Sequence, residues 1–217
     1  MQVYGRGLKR RVPPMLGGDP RRVRMAYSLM FSLPGTPTLY YGEEIGMGED
    51  LEAPGRMAVR TPMQWGPGRN GDFSTAQPSR LVQRVVPDGY GPEHVNFADQ
   101  EHDPLSLWAF LRTLIEVRRR RPEMGWGEFS VIPTEARAVL AHRVSLEGSA
   151  AVAVHNFSAD PVSVSLPDVL GDDDLVEDLL DGDATVVHDG ALSVTLEGYG
   201  YRWFRVRSTA DPRTPRT

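Results

Sequence analysis

Residues 35–47, GTPTLYYGEEIGM, hold an uncharged run that ends abruptly on two glutamates, Glu43 and Glu44. The run lacks the polar alternation of a strand with one wet face. It therefore predicts a strand over residues 36–41 covered on both sides, as in parallel sheets flanked by helices. Immediately upstream, Asp19-Pro20 supplies a capping side chain followed by proline at the first helical position. A helix is expected from there to about Leu33, with Val23, Ala26, Tyr27, Met30 and Leu33 on one face and Leu29 and Phe31 widening it. Pro34-Gly35 ends it, and helix, tight turn and buried strand make an αβ unit.

Downstream, residues 42–103 are irregular and rich in Gly, Pro, Asn and Asp. A connection of that length in a compact domain is usually functional or disordered. This one carries Met57, Met63, Trp65, Phe73, Tyr90 and Phe97, so it is expected to pack. Asp103-Pro104 then opens a second helix to about Arg120, with Leu107, Phe110, Leu111, Leu114 and Ile115 at helical spacing. After Gly125 the character changes to short β-rich runs separated by turn residues, several alternating with period two. Residues 1–122 are thus expected to form an α/β part, 123–207 a small antiparallel β-sandwich or barrel, and 208–217 a disordered tail.

The chain has 217 residues, no cysteine and a net charge of −5. Without cysteine, disulfide and thiolate chemistry are excluded, and a cytoplasmic setting is the simpler expectation. No apolar run approaches the ~18 residues of a membrane span, so no membrane partner is expected. The charge is segregated: residues 145–197 hold twelve acids and no Lys or Arg, whereas residues 1–24 hold seven bases against Asp19. The basic residues are not interleaved with aromatics, which argues against nucleic acid.

Motifs exclude more than they find. There is no Gly-x-Ser-x-Gly elbow, no phosphate-binding Gly-rich loop and no local metal motif. The histidines at 94, 102, 142, 155 and 188 are dispersed, and His142 and His155 fall in expected strands, where a structural role is favoured. Asp172, Asp173 and Asp174 lack the glycine and terminal glutamate of a calcium loop. No metal and no cofactor is expected. Glycoside hydrolysis needs two carboxyl groups about 5–10 Å apart across one bond. Neighbouring residues leaving a strand point to opposite sides, so Glu43 and Glu44 cannot readily form that pair.

LPGTPTLYYGEEIGMGE, followed by VRTPMQW and RNGDFS, resembles the end of the catalytic barrel in the α-amylase family of glycoside hydrolases, in its trehalose synthase and α-glucosidase branch. The likeness extends over residues 3–207. It implies that 19–33 is the seventh helix of a (β/α)8 barrel, 36–41 the eighth strand and 104–120 the eighth helix, followed by a C-terminal sandwich. It also implies that Glu43 and Glu44 shape the strand's end and are not the catalytic acids. The segment 59–65 is then a subsite loop, with Arg60, Gln64 and Trp65 as substrate-binding residues for α-linked glucosides such as maltose or trehalose.

The family's three catalytic carboxylates stand at the ends of its fourth, fifth and seventh strands. No residue of this chain matches them, so no catalytic residue is assigned. The resemblance implies a C-terminal portion whose partner is the remaining N-terminal barrel portion. An eighth strand without barrel neighbours would leave its backbone edges unpaired, and residues 1–122 are expected to be marginal alone. The alternative is a non-catalytic sandwich that binds glycan or docks on a partner, through Trp126, Tyr199, Tyr201 and Trp203 if two of these share an exposed face.

Overall fold

The computed structural model describes residues 9–167, 175–182, 184–186 and 190–207. The expected tail at 208–217, the aspartates at 172–174 and His188 lie outside the described residues. The helices are α1 (Val12–Met15), α2 (Pro20–Ser32), α3 (Phe97–Glu101), α4 (Leu107–Arg119) and α5 (Glu123–Trp126). The strands are β1 (Glu128–Ile132), β2 (Val139–Leu146), β3 (Ser149–Asn156), β4 (Val162–Leu166), β5 (Leu175–Asp178), β6 (Ala184–Val186), β7 (Leu192–Leu196) and β8 (Tyr201–Arg207). The chain divides into two compact units, Met1–Arg24 with Thr38–Arg112 and Met25–Pro37 with Thr113–Thr217.

Helix α2 starts where the sequence places it. An Asp19 carboxylate oxygen accepts from the Arg21 N–H at 2.9 Å, which satisfies one of the free donors of the first turn. The Arg21 guanidinium reaches the same carboxylate, and this contact holds the Asp19 pKa below its ordinary value. Helix α4 starts later than expected. Asp103 accepts from the Leu105 N–H at 2.8 Å and forms a turn, and Ser106 becomes the cap by accepting from the Ala109 N–H at 3.1 Å. Asp before Pro favours that local turn over direct entry into a helix.

The expected strand over 36–41 is absent. Residues 36–40 join no ladder, 41–42 form a turn, and Tyr40 and Tyr41 are 41% and 40% exposed. A ladder requires a neighbouring strand, and every described strand lies at Glu128 or beyond. The two helices and the run between them are thus present without a barrel sheet among the described residues. In the first unit the long connection does pack. Ile45, Met47, Met63 and Val86 form a small core, against which Tyr90, Val95, Phe97 and Trp108 are laid.

The second unit is built on a six-stranded antiparallel sheet in the order β1-β2-β3-β8-β5-β6, with β4 and β7 as a separate pair. Alternation along β3 turns Val152 and Val154 to one side, where they share a core with Val164 and Leu166 of β4 and Val194 and Leu196 of β7. The expected sandwich is this two-sheet arrangement. The opposite face of the large sheet carries His142, His155 and Trp203, all fully buried. In that unit Ser28 meets His155 Nε2 at 3.0 Å, and the Ser32 carbonyl meets His142 Nε2 at 3.1 Å. The two imidazoles stack with centroids 6.0 Å apart, so both histidines serve packing, as their strand positions suggested.

Candidate functional site

The site residues expected from the sequence lie in the first unit, on the segment after the turn Gly55–Val59. That turn buries Ala58 and Val59 and leaves Arg60 exposed, with the Arg60 N–H donating to the Met57 carbonyl at 3.0 Å. What fixes the segment is Arg11, a buried guanidinium only 1% exposed. It donates to the Tyr41 carbonyl at 2.7 Å and to the Val59 carbonyl at 2.9 Å, stapling the end of the uncharged run to the loop. The Tyr41 hydroxyl adds a bond of 2.6 Å to the Thr61 carbonyl. Planar donor geometry makes arginine suited to holding two carbonyls at once.

Beyond this staple, Arg60 and Trp65 line one open cleft of about 700 Å³, together with Tyr41, Glu44, Met63 and Phe73. Trp65 is 50% exposed, and its ring meets Phe97 edge-on at 5.9 Å, so the indole is supported while part of it stays open. The loop beneath is closed by paired donors: the Trp65 N–H bonds to the Gly71 carbonyl at 2.8 Å, and the Asn70 amide bonds to the carbonyls of Ser74 and Ala76. Gly71 has φ +64°, and a Cβ there would stand 3.1 Å from the Gln64 backbone, so the turn favours glycine twice over.

Gln64 is not in the cleft. It is fully buried, and its amide nitrogen donates to the Val95 carbonyl and, at 3.1 Å, to the Tyr90 carbonyl. The structure therefore brings Arg60 and Trp65 together and turns Gln64 inward to hold the loop. Sequence reasoning missed Phe73, Arg80 and Leu81, which complete the cleft. Phe73 follows a conspicuous Arg-Asn-Gly-Asp turn and was legible as a loop aromatic, but Arg80 and Leu81 carried no signal.

The two glutamates border different spaces, as expected, but a short helix and not strand alternation separates them. Gly42, at φ +84°, turns the chain into the short helix Glu43–Ile45. From it Glu44 borders the Trp65 cleft, while Glu43 borders a smaller pocket lined by Arg10, Arg11, Tyr40, Arg56, Val59 and Arg60. Burial pushes the Glu43 pKa up, against the opposing pull of the Tyr40 N–H and the Arg11 charge. Among the described residues no three His, Asp or Glu side chains gather as metal ligands, and no helix is long and apolar enough to cross a membrane.

The four aromatics singled out for glycan binding do not form a platform. Trp203 is wholly buried, Tyr199 and Tyr201 are half-buried, and Trp126 stands 85% exposed. Of these four only Trp126 is exposed, so no two of them share an exposed face.

Residues 9–127 match the family model described as alpha amylase, catalytic domain, and residues 148–205 match sucrose hydrolase-like, C-terminal domain. A trehalose synthase of Pimelobacter sp. is 37% identical over 215 residues, covering 96% of this chain and 37% of the relative. A trehalose synthase/amylase of Mycobacterium tuberculosis is 36% identical over 92% of this chain and 34% of its own length. The chain thus spans little more than a third of the length of these two relatives. Among solved structures, the trehalulose synthase MutB superposes with a TM-score of 0.73 at 24% identity over 93% of this chain and 42% of its own. An α-amylase from H. orenii does so at 0.70 and 26%, over 91% of this chain and 38% of its own. Because the catalytic-domain match alone extends over more than half of its residues, the chain belongs to the α-amylase family.

Proposed function

We propose that the chain is the C-terminal portion of an enzyme acting on α-linked glucosides such as maltose or trehalose, with a trehalose synthase-like isomerisation or an α-glucosidase-like or α-amylase-like hydrolysis as its reaction. Residues 1–122 would close the barrel and 123–207 form the sandwich domain. The observation that carries this reading is the convergence of Arg60 and Trp65 on one open cleft. Arg60 presents a planar fork that can hold a sugar hydroxyl and a carboxylate together. Trp65 presents a supported aromatic face for a pyranose ring. Gln64 contributes indirectly, by holding the loop that carries Trp65.

In this reading the remaining N-terminal barrel portion supplies the catalytic groups. Its carboxylate attacks the anomeric carbon, a second carboxyl group protonates the leaving oxygen, and a covalent glucosyl intermediate forms. Glucose at the same site resolves it to the isomer, and water resolves it to free sugar. This chain contributes no nucleophile and no general acid. A cysteine-free chain is consistent with a reducing cytoplasm.

The test separates binding from chemistry. The 217-residue chain is titrated with maltose while tryptophan emission is followed, and is then incubated with maltose and assayed for trehalose and glucose. Saturable quenching that is lost in Trp65→Phe, without product, is the expected result. Co-expression with an N-terminal barrel portion of the family is expected to restore turnover. Product formation by the chain alone would overturn the division of labour, and a response that Trp65→Phe leaves intact would overturn the cleft.

A further inference from the structure

The cleft that holds Trp65 is bordered by two stretches of the long connection. Met57, Arg60 and Trp65 lie on one, and Leu81, Val82 and Gln83 on the other. The second stretch contains the turn Pro78–Arg80, which is closed locally. The Arg80 N–H donates to the Gln77 carbonyl at 2.8 Å and the Leu81 N–H to the Pro78 carbonyl at 3.2 Å. Upstream, the Asn70 amide holds the carbonyls of Ser74 and Ala76. Downstream, the chain passes Arg84 before it enters the small core at Val86. Between these points Val82 is 97% exposed.

Arg84 grips Asp50 at two points. Its Nε donates to one carboxylate oxygen at 2.6 Å and its Nη2 to the other at 2.7 Å, and the same Nη2 meets Glu52 at 2.6 Å. Asp50 is buried, and the contact with Arg84 holds its carboxyl below the ordinary pKa. Asp50 is itself built into the turn that precedes Arg60. Its N–H donates to the Ala58 carbonyl at 2.9 Å, and its carboxylate accepts the Glu52 N–H at 3.1 Å. That turn runs through Gly55–Val59 directly into Arg60. The Arg84 side chain thus ties one border of the cleft to the other from a position outside the cleft lining. A planar fork on a carboxylate fixes distance and angle together, which a point charge does not.

We propose, taking this cleft as the glucoside site, that Arg84 is a positioning residue: through Asp50 it holds Leu81, Val82 and Gln83 in place relative to Arg60 and Trp65 and so sets the opening that the sugar meets. Hydrogen exchange of the 217-residue chain, beside its maltose-dependent tryptophan emission, tests this. In Arg84→Met, exchange at residues 80–84 is expected to rise and maltose affinity to fall, each by about tenfold, the worth of one charge-assisted pair. Exchange in β2, β3 and β8 should stay as in the parent. Arg84→Lys keeps the charge without the fork and should recover only part of the affinity. The double variant Arg84→Met with Asp50→Asn carries no stranded carboxylate, yet it should bind maltose as weakly as Arg84→Met, because the pair acts as one unit. A double variant restored to parental affinity would show that a stranded charge caused the loss, and would overturn the proposal. So would loosening spread over the whole chain, or a maltose response that Arg84→Met leaves intact. A parent chain with no maltose response would overturn the glucoside reading itself and this role with it, whereas a responding parent and an equally responding Arg84→Met would overturn the role alone.

Discussion

The indole N–H of Trp203 donates to the Ser28 hydroxyl at 2.9 Å, joining β8 to the C-terminal part of α2 across 175 positions of sequence. The same hydroxyl meets His155 Nε2, so one buried serine serves two rings. Removing it strands a buried indole donor and a buried imidazole nitrogen together. Ser28→Ala is therefore expected to lower the unfolding free energy by about 1–3 kcal/mol, the usual cost of buried groups left unpaired. Urea denaturation followed by tryptophan emission measures it. A loss below about 0.5 kcal/mol, typical of an exposed position, would show that this bond does not hold the unit.

The stacked histidines give the second unit an acid-sensitive core. Burial, and then the neighbouring His142, push the His155 pKa down from 6.5 to about 3. Burial also lowers that of His142, against the opposing effect of its bond to Ser32. A depressed histidine is neutral in the folded chain but takes a proton when unfolded. Its contribution is complete above pH 6.5 and is lost as pH falls toward about 3. The denaturation midpoint should thus fall steadily below neutrality. His155→Gln is expected to flatten the pH slope by about one proton, and an unchanged slope would contradict the assignment.

The elements most legible in the sequence were those specified by their own residues. Helix α2 combines a capping Asp19, a first-turn Pro20, an apolar face and a Pro34-Gly35 stop, and all of these agree. The sandwich was legible from period-two alternation. The run at 36–41 was not, because a strand is a property of its neighbours as much as of its residues, and no neighbour is present among those described. Arg60 and Trp65 share a short segment and were found together. Gln64 lies between them, but its direction depends on distant carbonyls at Tyr90 and Val95 that no local pattern announces. Arg10 and Arg11 were read only as part of a basic stretch. Their convergence with Arg56 requires the fold.

Arg118 closes the end of α2 within the second unit. Its guanidinium donates to the carbonyls of Phe31, Leu33, Gly35 and Met124, with the Leu33 bond at 3.0 Å and the Met124 bond at 2.9 Å. Burial lowers its pKa, yet no other side chain could span four acceptors from one position. A lysine keeps the charge as a single point with three donors and loses the fork. Arg118→Lys is therefore expected to cost about 1–3 kcal/mol, recovering less than half of what Arg118→Ala removes. Thermal denaturation of the two variants decides this, and a lysine as stable as the parent would show that charge alone suffices.

Gln64 and Arg60 make opposite predictions although four positions apart. Gln64 is buried, and its amide closes the loop on two carbonyls. Gln64→Ala should leave those acceptors unpaired, lower stability by about 1–3 kcal/mol and expose the 64–98 segment to limited proteolysis. Arg60 is exposed, with its side chain in no ion pair among the described residues. Arg60→Ala should shift stability by no more than about 0.5 kcal/mol and instead weaken the maltose-dependent quenching of Trp65. The contrast is informative because each variant controls for the other: loss of binding in Gln64→Ala would accompany a cleaved or loosened loop, whereas loss in Arg60→Ala would occur in an intact one. If Arg60→Ala were the destabilised variant and Gln64→Ala the stable one with impaired binding, the assignment of the two side chains would have to be exchanged.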